Sequence, residues 1–163
     1  MLNLPVDELI RWNDVTHTRW MNLLNQHPEL LDLSTDIRSS ERVNRVLQHI
    51  VAVELRYAER LASQPETDYS AIPCTTTNEI FATHTQAMTL ILPLIADDSY
   101  PWTEPLEFQT ITMGRLRSTR RDILIHMLMH GIRHYAQLAT LVRQAGVDPG
   151  WPMDFLMLNA QRA

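Results

Sequence analysis

A single cysteine, Cys74, stands in the whole sequence of 163 residues. Without a second thiol no intramolecular disulfide can form, and a metal cage built from several thiolates is excluded as well. Glycine is also scarce, with only four in the chain, and long stretches run without Gly or Pro. Folds built on many tight turns need more of both, so helices are expected. No apolar run approaches the roughly 18 residues that would span a bilayer. The opening Met1–Ile10 shows no basic leader followed by a long apolar stretch, so no signal peptide and no membrane association are expected, and a cytoplasmic location is the default. Positive charge is in deficit, with 14 basic against 19 acidic side chains and a net charge of −5. That balance repels a phosphate backbone. The basic cluster from Arg115 to Arg121 is short and suits the polar start of a helix, so nucleic acid is a poor candidate partner.

What is present is ordinary for a soluble globular protein: 45% hydrophobic and 20% charged residues, in a length that fits one domain spanning 1–163. Four segments read as helices. The first runs from about Pro5, suited to a first helical turn, to Gln26, before Pro28. The second starts after Ser39 or Ser40, either of them a plausible N-cap, and runs to about Ser63, before Pro65. The third spans about Thr77 to Ile95, with Pro93 in its last turn. The fourth runs from about Thr119 to Ala145 and is closed by Gly146 as C′ residue, with Pro149 beyond. Between the third and fourth, two prolines followed by LEFQTIT suggest a loop and then a short strand or hairpin. The apolar tail after Gly146 is expected to fold back onto the helices. The implied fold class is all-α, an antiparallel four-helix bundle with that loop or strand inserted.

The informative segment is RDILIHMLMHGIRHYAQLATLVRQAG. His126, His130 and His134 recur every four residues, and Gln137 follows. On a helix that advances about 100° per residue, with His130 at zero, His126 lies near −40°, His134 near +40° and Gln137 near −20°. Ile123 and Leu141 fall near +20° on the same stripe, so the histidine stripe is expected to face inward. Imidazoles buried on an apolar stripe are costly unless their nitrogens find partners. A divalent metal answers that need, because two histidines at i and i+4 can reach one ion. A hydrogen-bonded core role answers it too. A metal would require a third ligand from another element, and spacing alone does not choose it. His49, inside RVLQHIVAVELRYAERL, sits at the edge of the core face formed by Val43, Val46, Ile50, Tyr57 and Leu61. His17 and His84 are less constrained by pattern, and His27 beside Pro28 is expected to be solvated.

The last helix and its continuation LATLVRQAGVDPG resemble the DinB-like (DinB/YfiT) family of metal-binding four-helix bundles. That family's motif runs roughly His-x-x-x-His-x-x-x-His-Arg-Gly-Gln. It reads here His126-Met-Leu-Met-His130-Gly-Ile-Arg-His134-Tyr-Ala-Gln137. LQHIVAVELRYAERL is similar to the family's second helix, and Arg11-Trp12-Asn13 to its first. The resemblance implies His49, His130 and His134 as metal ligands, with His126 and Gln137 as structural residues or supports around them. Tyr135 and Ala136 depart from the usual Arg-Gly.

Three neutral histidines would leave a coordination position open, as in catalytic sites. Zn, Ni, Fe and Mn all suit such a donor set. Family members use such a centre for thiol chemistry, so the resemblance implies a metal-dependent S-transferase or related thiol-dependent enzyme, with a low-molecular-weight thiol as co-substrate and a small-molecule partner. A metal-dependent hydrolase and a non-enzymatic, stress-linked metal-binding or interaction protein are the alternatives. No catalytic side chain is assigned beyond the metal-bound water or thiol. On the second helix Arg42, Arg45, Arg56 and Arg60 lie within about 40° of His49, and Arg45 and Arg56 are the candidates for binding a substrate carboxylate. The same arginines, with Glu41, Glu54 and Glu59, would also make an ordinary solvated face, and Glu54 is not expected to turn inward. Ile125, Leu128, Met129 and Ile132 are apolar off the histidine stripe, which suggests a homodimer. Packing by the tail, through Trp151 and Phe155, is the other use of that surface.

Overall fold

The computed structural model describes residues 6–37 and 40–160. Among them lie four α-helices: α1 (Val6–Gln26), α2 (Val43–Leu61), α3 (Thr77–Ile95) and α4 (Arg120–Gln144). A two-stranded antiparallel hairpin, β1 (Pro105–Thr110) and β2 (Gly114–Thr119), stands between α3 and α4, with Pro105 paired to Thr119 and Thr110 to Gly114. The fold is therefore mostly helical, and the strand expected between the third and fourth helices is a small two-stranded sheet.

The helix ends follow local chemistry. Thr76 and Glu79 form a reciprocal capping box at the start of α3. Thr119 accepts a hydrogen bond from the Asp122 amide at the start of α4. Gly146, at φ +87°, takes the left-handed conformation that closes α4. The start of α2 differs from expectation. Ser40 does not cap it and Ser39 lies outside the described residues, as does Pro5. The N-cap is Arg42, extended at φ −142° and ψ 157° with no side-chain cap bond. The cause is a bridge between Ser34 and Arg42, reinforced by Thr35 N–H to Glu41 O and Val43 N–H to Leu33 O, which keeps this stretch extended.

The core falls into two layers. One gathers Trp20, Leu24, Leu47, Ile50, Ile80, Tyr135 and Leu138. The other gathers Leu55, Leu61, Ala87, Ile91, Ile123, Leu124 and Met127, with Trp102, Leu106 and Phe108 of the hairpin region packed against it. In both α1 and α4 the chain passes from the second layer to the first, whereas in α2 and α3 it passes from the first to the second. Thus α1 and α4 run one way and α2 and α3 the other, which corrects the expectation of simple alternation. The segment from 62 to 76 makes this possible, because it returns along α2. Thr67 meets Glu59 near one end, and Ile72 accepts from Gln48 farther back, before α3 begins. The tail folds back as expected. Trp151 packs on Trp20 at 5.8 Å, Phe155 packs on Trp12 at 5.3 Å, and Arg11 bonds Leu158 O and Asn159.

Every helix carries polar residues where the two layers meet: Asn13 and His17 on α1, His49 and Glu54 on α2, His84 on α3, His130 and His134 on α4. All but His49, which is half-buried, are buried. A polar belt in the middle of an apolar interior is costly unless its members satisfy one another. The chemistry of the fold is concentrated there.

Candidate metal centre

α2 and α4 pack side by side and bring His49, His130 and His134 together. Their ring centroids are 4.8 Å (His49–His130), 5.1 Å (His49–His134) and 4.6 Å (His130–His134) apart, and the ring planes cross at 68°, 83° and 64°. Ligand nitrogens of all three lie within 4.8 Å of one another. Three imidazoles bound to one ion at about 2.1 Å would have centroids about 5 Å apart, with steeply crossed planes.

The electrostatics favour lone pairs over protons. Burial, followed by the neighbouring His134 and Arg133, lowers the His49 pKa to about 4. Burial, followed by the other histidines, lowers that of His130 to about 2, and burial also lowers His134. The tautomer of His134 follows from its contacts. Its Nδ1 stands 2.7 Å from Gln137 Oε1, which only accepts, so Nδ1–H donates. Nε2 is left with a lone pair, and Arg133 donates to it at 3.1 Å. His130 Nδ1 is buried with no partner, an orphaned atom of the kind a ligand would satisfy. Neutral imidazoles, crossed planes, a fixed tautomer and an orphaned nitrogen all fit a divalent ion.

His126 does not join this group. It is exposed, with its ring 5.5 Å from His130 and 5.4 Å from Tyr57. Gln137 is exposed as well. The stripe thus does not face inward throughout: it runs from solvent at His126 into the interior at His130 and His134 and out again at Gln137. Arg45 donates to Gln48 Oε1 at 3.0 Å. Arg56 bonds Glu66 at 2.6 Å and Thr67 O, and Arg60 is drawn to the same glutamate at 2.6 Å. Of the acidic residues expected on a solvated face, only Glu41 is exposed. Glu54 and Glu59 are buried.

Glu54 belongs to a second cluster that the sequence did not disclose. Its Oε2 lies 3.0 Å from His84 Nδ1 and 3.1 Å from His17 Nε2, and its Oε1 accepts from Asn13 Nδ2 at 3.2 Å. Asn13 also donates to Leu128 O at 3.3 Å, tying α1 to α4. Burial would raise the Glu54 pKa, but the facing His17 and His84 hold it below the usual carboxylate range. For His84 burial is likewise outweighed, by Glu54 and then Asp14, and its pKa is raised. These donor atoms also come within 4.8 Å of one another, so by distance this group could hold a divalent ion too. Ring orientation separates the two clusters. His17 and His84 are stacked, with centroids 3.7 Å apart and planes at 15°, so their in-plane lone pairs do not converge on one point. Shared protons suit this cluster as it stands, and a metal suits the first.

The signal that could have revealed Glu54 was present in α2. It lies about 40° from Ile50 and about 20° from Leu61 on the helical wheel, inside the core stripe. His17 and His84 carried no such signal, because their partner comes from another helix.

Architecture and site together make this a mostly helical bundle in which three histidines from two neighbouring helices come close enough to hold one metal ion. Residues 1–161 match the DinB family, and the chain belongs to that family. No curated protein matches the chain. No helix among the described residues is long and apolar enough to cross a membrane.

Proposed function

We propose that the protein is a divalent-metal-dependent enzyme whose ligands are His49, His130 and His134, and that it performs thiol chemistry of the S-transferase kind. One observation carries this reading. Among the described residues no fourth His, Cys, Asp or Glu joins the three imidazoles, so a bound ion would keep a position open to a small molecule. A divalent ion there supplies Lewis acidity, which holds a thiol in its nucleophilic thiolate form near neutral pH. The protein's own contribution is to keep the three imidazoles neutral by burial, to orient His134 through Gln137, and to exclude water from one side of the centre. Arg45, on α2, is the candidate contact for a substrate carboxylate. Arg56 reaches that role only by leaving Glu66.

A hydrolase would want a carboxylate base beside the centre. Glu54, the fully buried carboxylate of α2, is committed to His17, His84 and Asn13, which favours thiol chemistry. The half-exposed Met129, with Ile125 and Ile132 partly covered, supports a homodimer through α4, although Leu128 is used up in the chain's own core. The lone cysteine suits a cytoplasmic setting.

The test is to load chelator-treated protein with Zn²⁺, Ni²⁺, Fe²⁺ or Mn²⁺ in turn, and to follow consumption of a model electrophile with a panel of cellular thiols. A thiol-dependent rate above the metal-free control is expected. Absence of such a rate with every metal and thiol would move the protein to the non-enzymatic, metal-binding alternative.

A further inference from the structure

The chain contains no lysine, so its permanent side-chain cations are all arginines. Five of these are held in ion pairs among the described residues: Arg42, Arg56, Arg60, Arg115 and Arg120. Arg133 forms no ion pair with a described carboxylate. Its guanidinium instead donates to His134 Nε2 at 3.1 Å, the nitrogen left with a lone pair by the Nδ1 bond to Gln137. A permanent cation beside a metal site opposes metal binding. Placing a positive charge there is unfavourable for a site whose task is only to retain an ion. It favours a site that must receive an anion.

We propose that Arg133 is the anion-recognition residue of this centre, and that the small molecule it admits carries a carboxylate in addition to its thiol. This rests on the proposed function and names its substrate class. When the ion takes up the Nε2 lone pair, the guanidinium loses its acceptor, yet it stays tethered one residue before a ligand on the same helix. It is then a planar, multi-donor cation within reach of whatever occupies the open position, and a carboxylate is the group that matches its fork. Arg45, on α2, is engaged elsewhere, since its guanidinium donates to Gln48 Oε1 at 3.0 Å.

The two effects have opposite signs, and that separates recognition from a structural role. Arg133→Gln should bind Co²⁺ more tightly than the wild type, because a repelling charge is gone. It should also lose selectivity between two thiol probes that differ by one negative charge, mercaptoacetate and 2-mercaptoethanol. A charge pair a few ångströms apart under partial screening is worth about tenfold in affinity. Co²⁺-loaded wild type should therefore prefer mercaptoacetate by about tenfold, read from the sulfur-to-cobalt absorption band. Arg133→Gln should bind both thiols equally, and Arg133→Lys should keep much of the preference. Failure to take up Co²⁺ would defeat the metal reading itself. With Co²⁺ bound, a wild-type preference near one, or a preference that Arg133→Gln leaves in place, overturns the role of Arg133. Thiols that fail to bind at all overturn the thiol reading and leave Arg133 no anion preference to explain.

Discussion

Replacing Glu54 by Gln probes the polar belt that holds the four helices in register. The substitution keeps the shape of the side chain and removes one fully buried charge. Gln can offer one oxygen where Glu54 Oε2 now stands 3.0 Å from His84 and 3.1 Å from His17. Its amide cannot replace the interaction with both rings. Removing one partner of a buried charged cluster typically costs about 3–5 kcal/mol, and the retained amide hydrogen bonds place this case at the lower end, about 3 kcal/mol. For a chain of this length that corresponds to a fall in Tm of about 6–12 °C. The pH dependence is more diagnostic than the magnitude. Glu54 has a lowered pKa, so its contribution is present above the ordinary carboxylate value of 4.5 and fades as pH falls toward the lowered value. His84 has a raised pKa, so its contribution is present below the ordinary 6.5 and fades as pH rises through the raised value. The groups facing them are His17 and Asp14 from α1 and Tyr135 from α4, whose hydroxyl burial keeps protonated. The deficit of Glu54→Gln against wild type should therefore be largest between about pH 5 and 6.5 and shrink in alkali. Urea unfolding of the metal-free proteins across pH 5–9 would measure it. A deficit below about 0.5 kcal/mol, or one equally large at pH 6 and pH 9, would refute the charge-balanced cluster.

Gln137→Ala removes the acceptor that fixes the His134 tautomer and should weaken metal binding by about tenfold or more while leaving the melting of the metal-free protein unchanged, as competition with a chromophoric chelator and thermal melts would show. Trp20, completely buried between Tyr135 at 5.5 Å and Trp151 at 5.8 Å, should cost about 3–5 kcal/mol on replacement by Ala, measured by urea unfolding. Thr119→Ala, which deletes the N-cap of α4, should cost about 1 kcal/mol in the same assay.

Much of the helical framework was legible because its boundaries are set by local chemistry. Pro28, the Thr76–Glu79 neighbourhood, Thr119 and Gly146 each act within one turn of the chain. The start of α2 was misjudged for the opposite reason. Ser40 has the right chemistry for a cap, but the Ser34–Arg42 bridge imposes an extended path that no short window reveals. The direction of α3 was hidden similarly, since it depends on where the segment from 62 to 76 leads. In the site, the pair His130–His134 could be read from spacing, and the choice of His49 came from family resemblance. The cluster of Glu54, His17 and His84 escaped because a glutamate in a helix reads as solvated until its partners on two other helices are known. Tyr135 completes that picture. It stands where the family usually has arginine, and its side chain is fully buried against Trp20 and His17, near Glu54. The Glu54 carboxylate near Tyr135 is instead met by His17 and His84, and the three converging imidazoles are untouched by the change.

The most direct measurement is the metal content of the purified protein after exposure to Zn²⁺ or Ni²⁺ and exhaustive dialysis, for wild type, His49→Ala, His130→Ala and His126→Ala. The expected result is about one ion per chain in the wild type, none in His49→Ala or His130→Ala, and nearly full occupancy in His126→Ala. A wild type that retains no metal, or a His49→Ala protein that retains as much as the wild type, would contradict the convergence of α2 and α4 on a single ion.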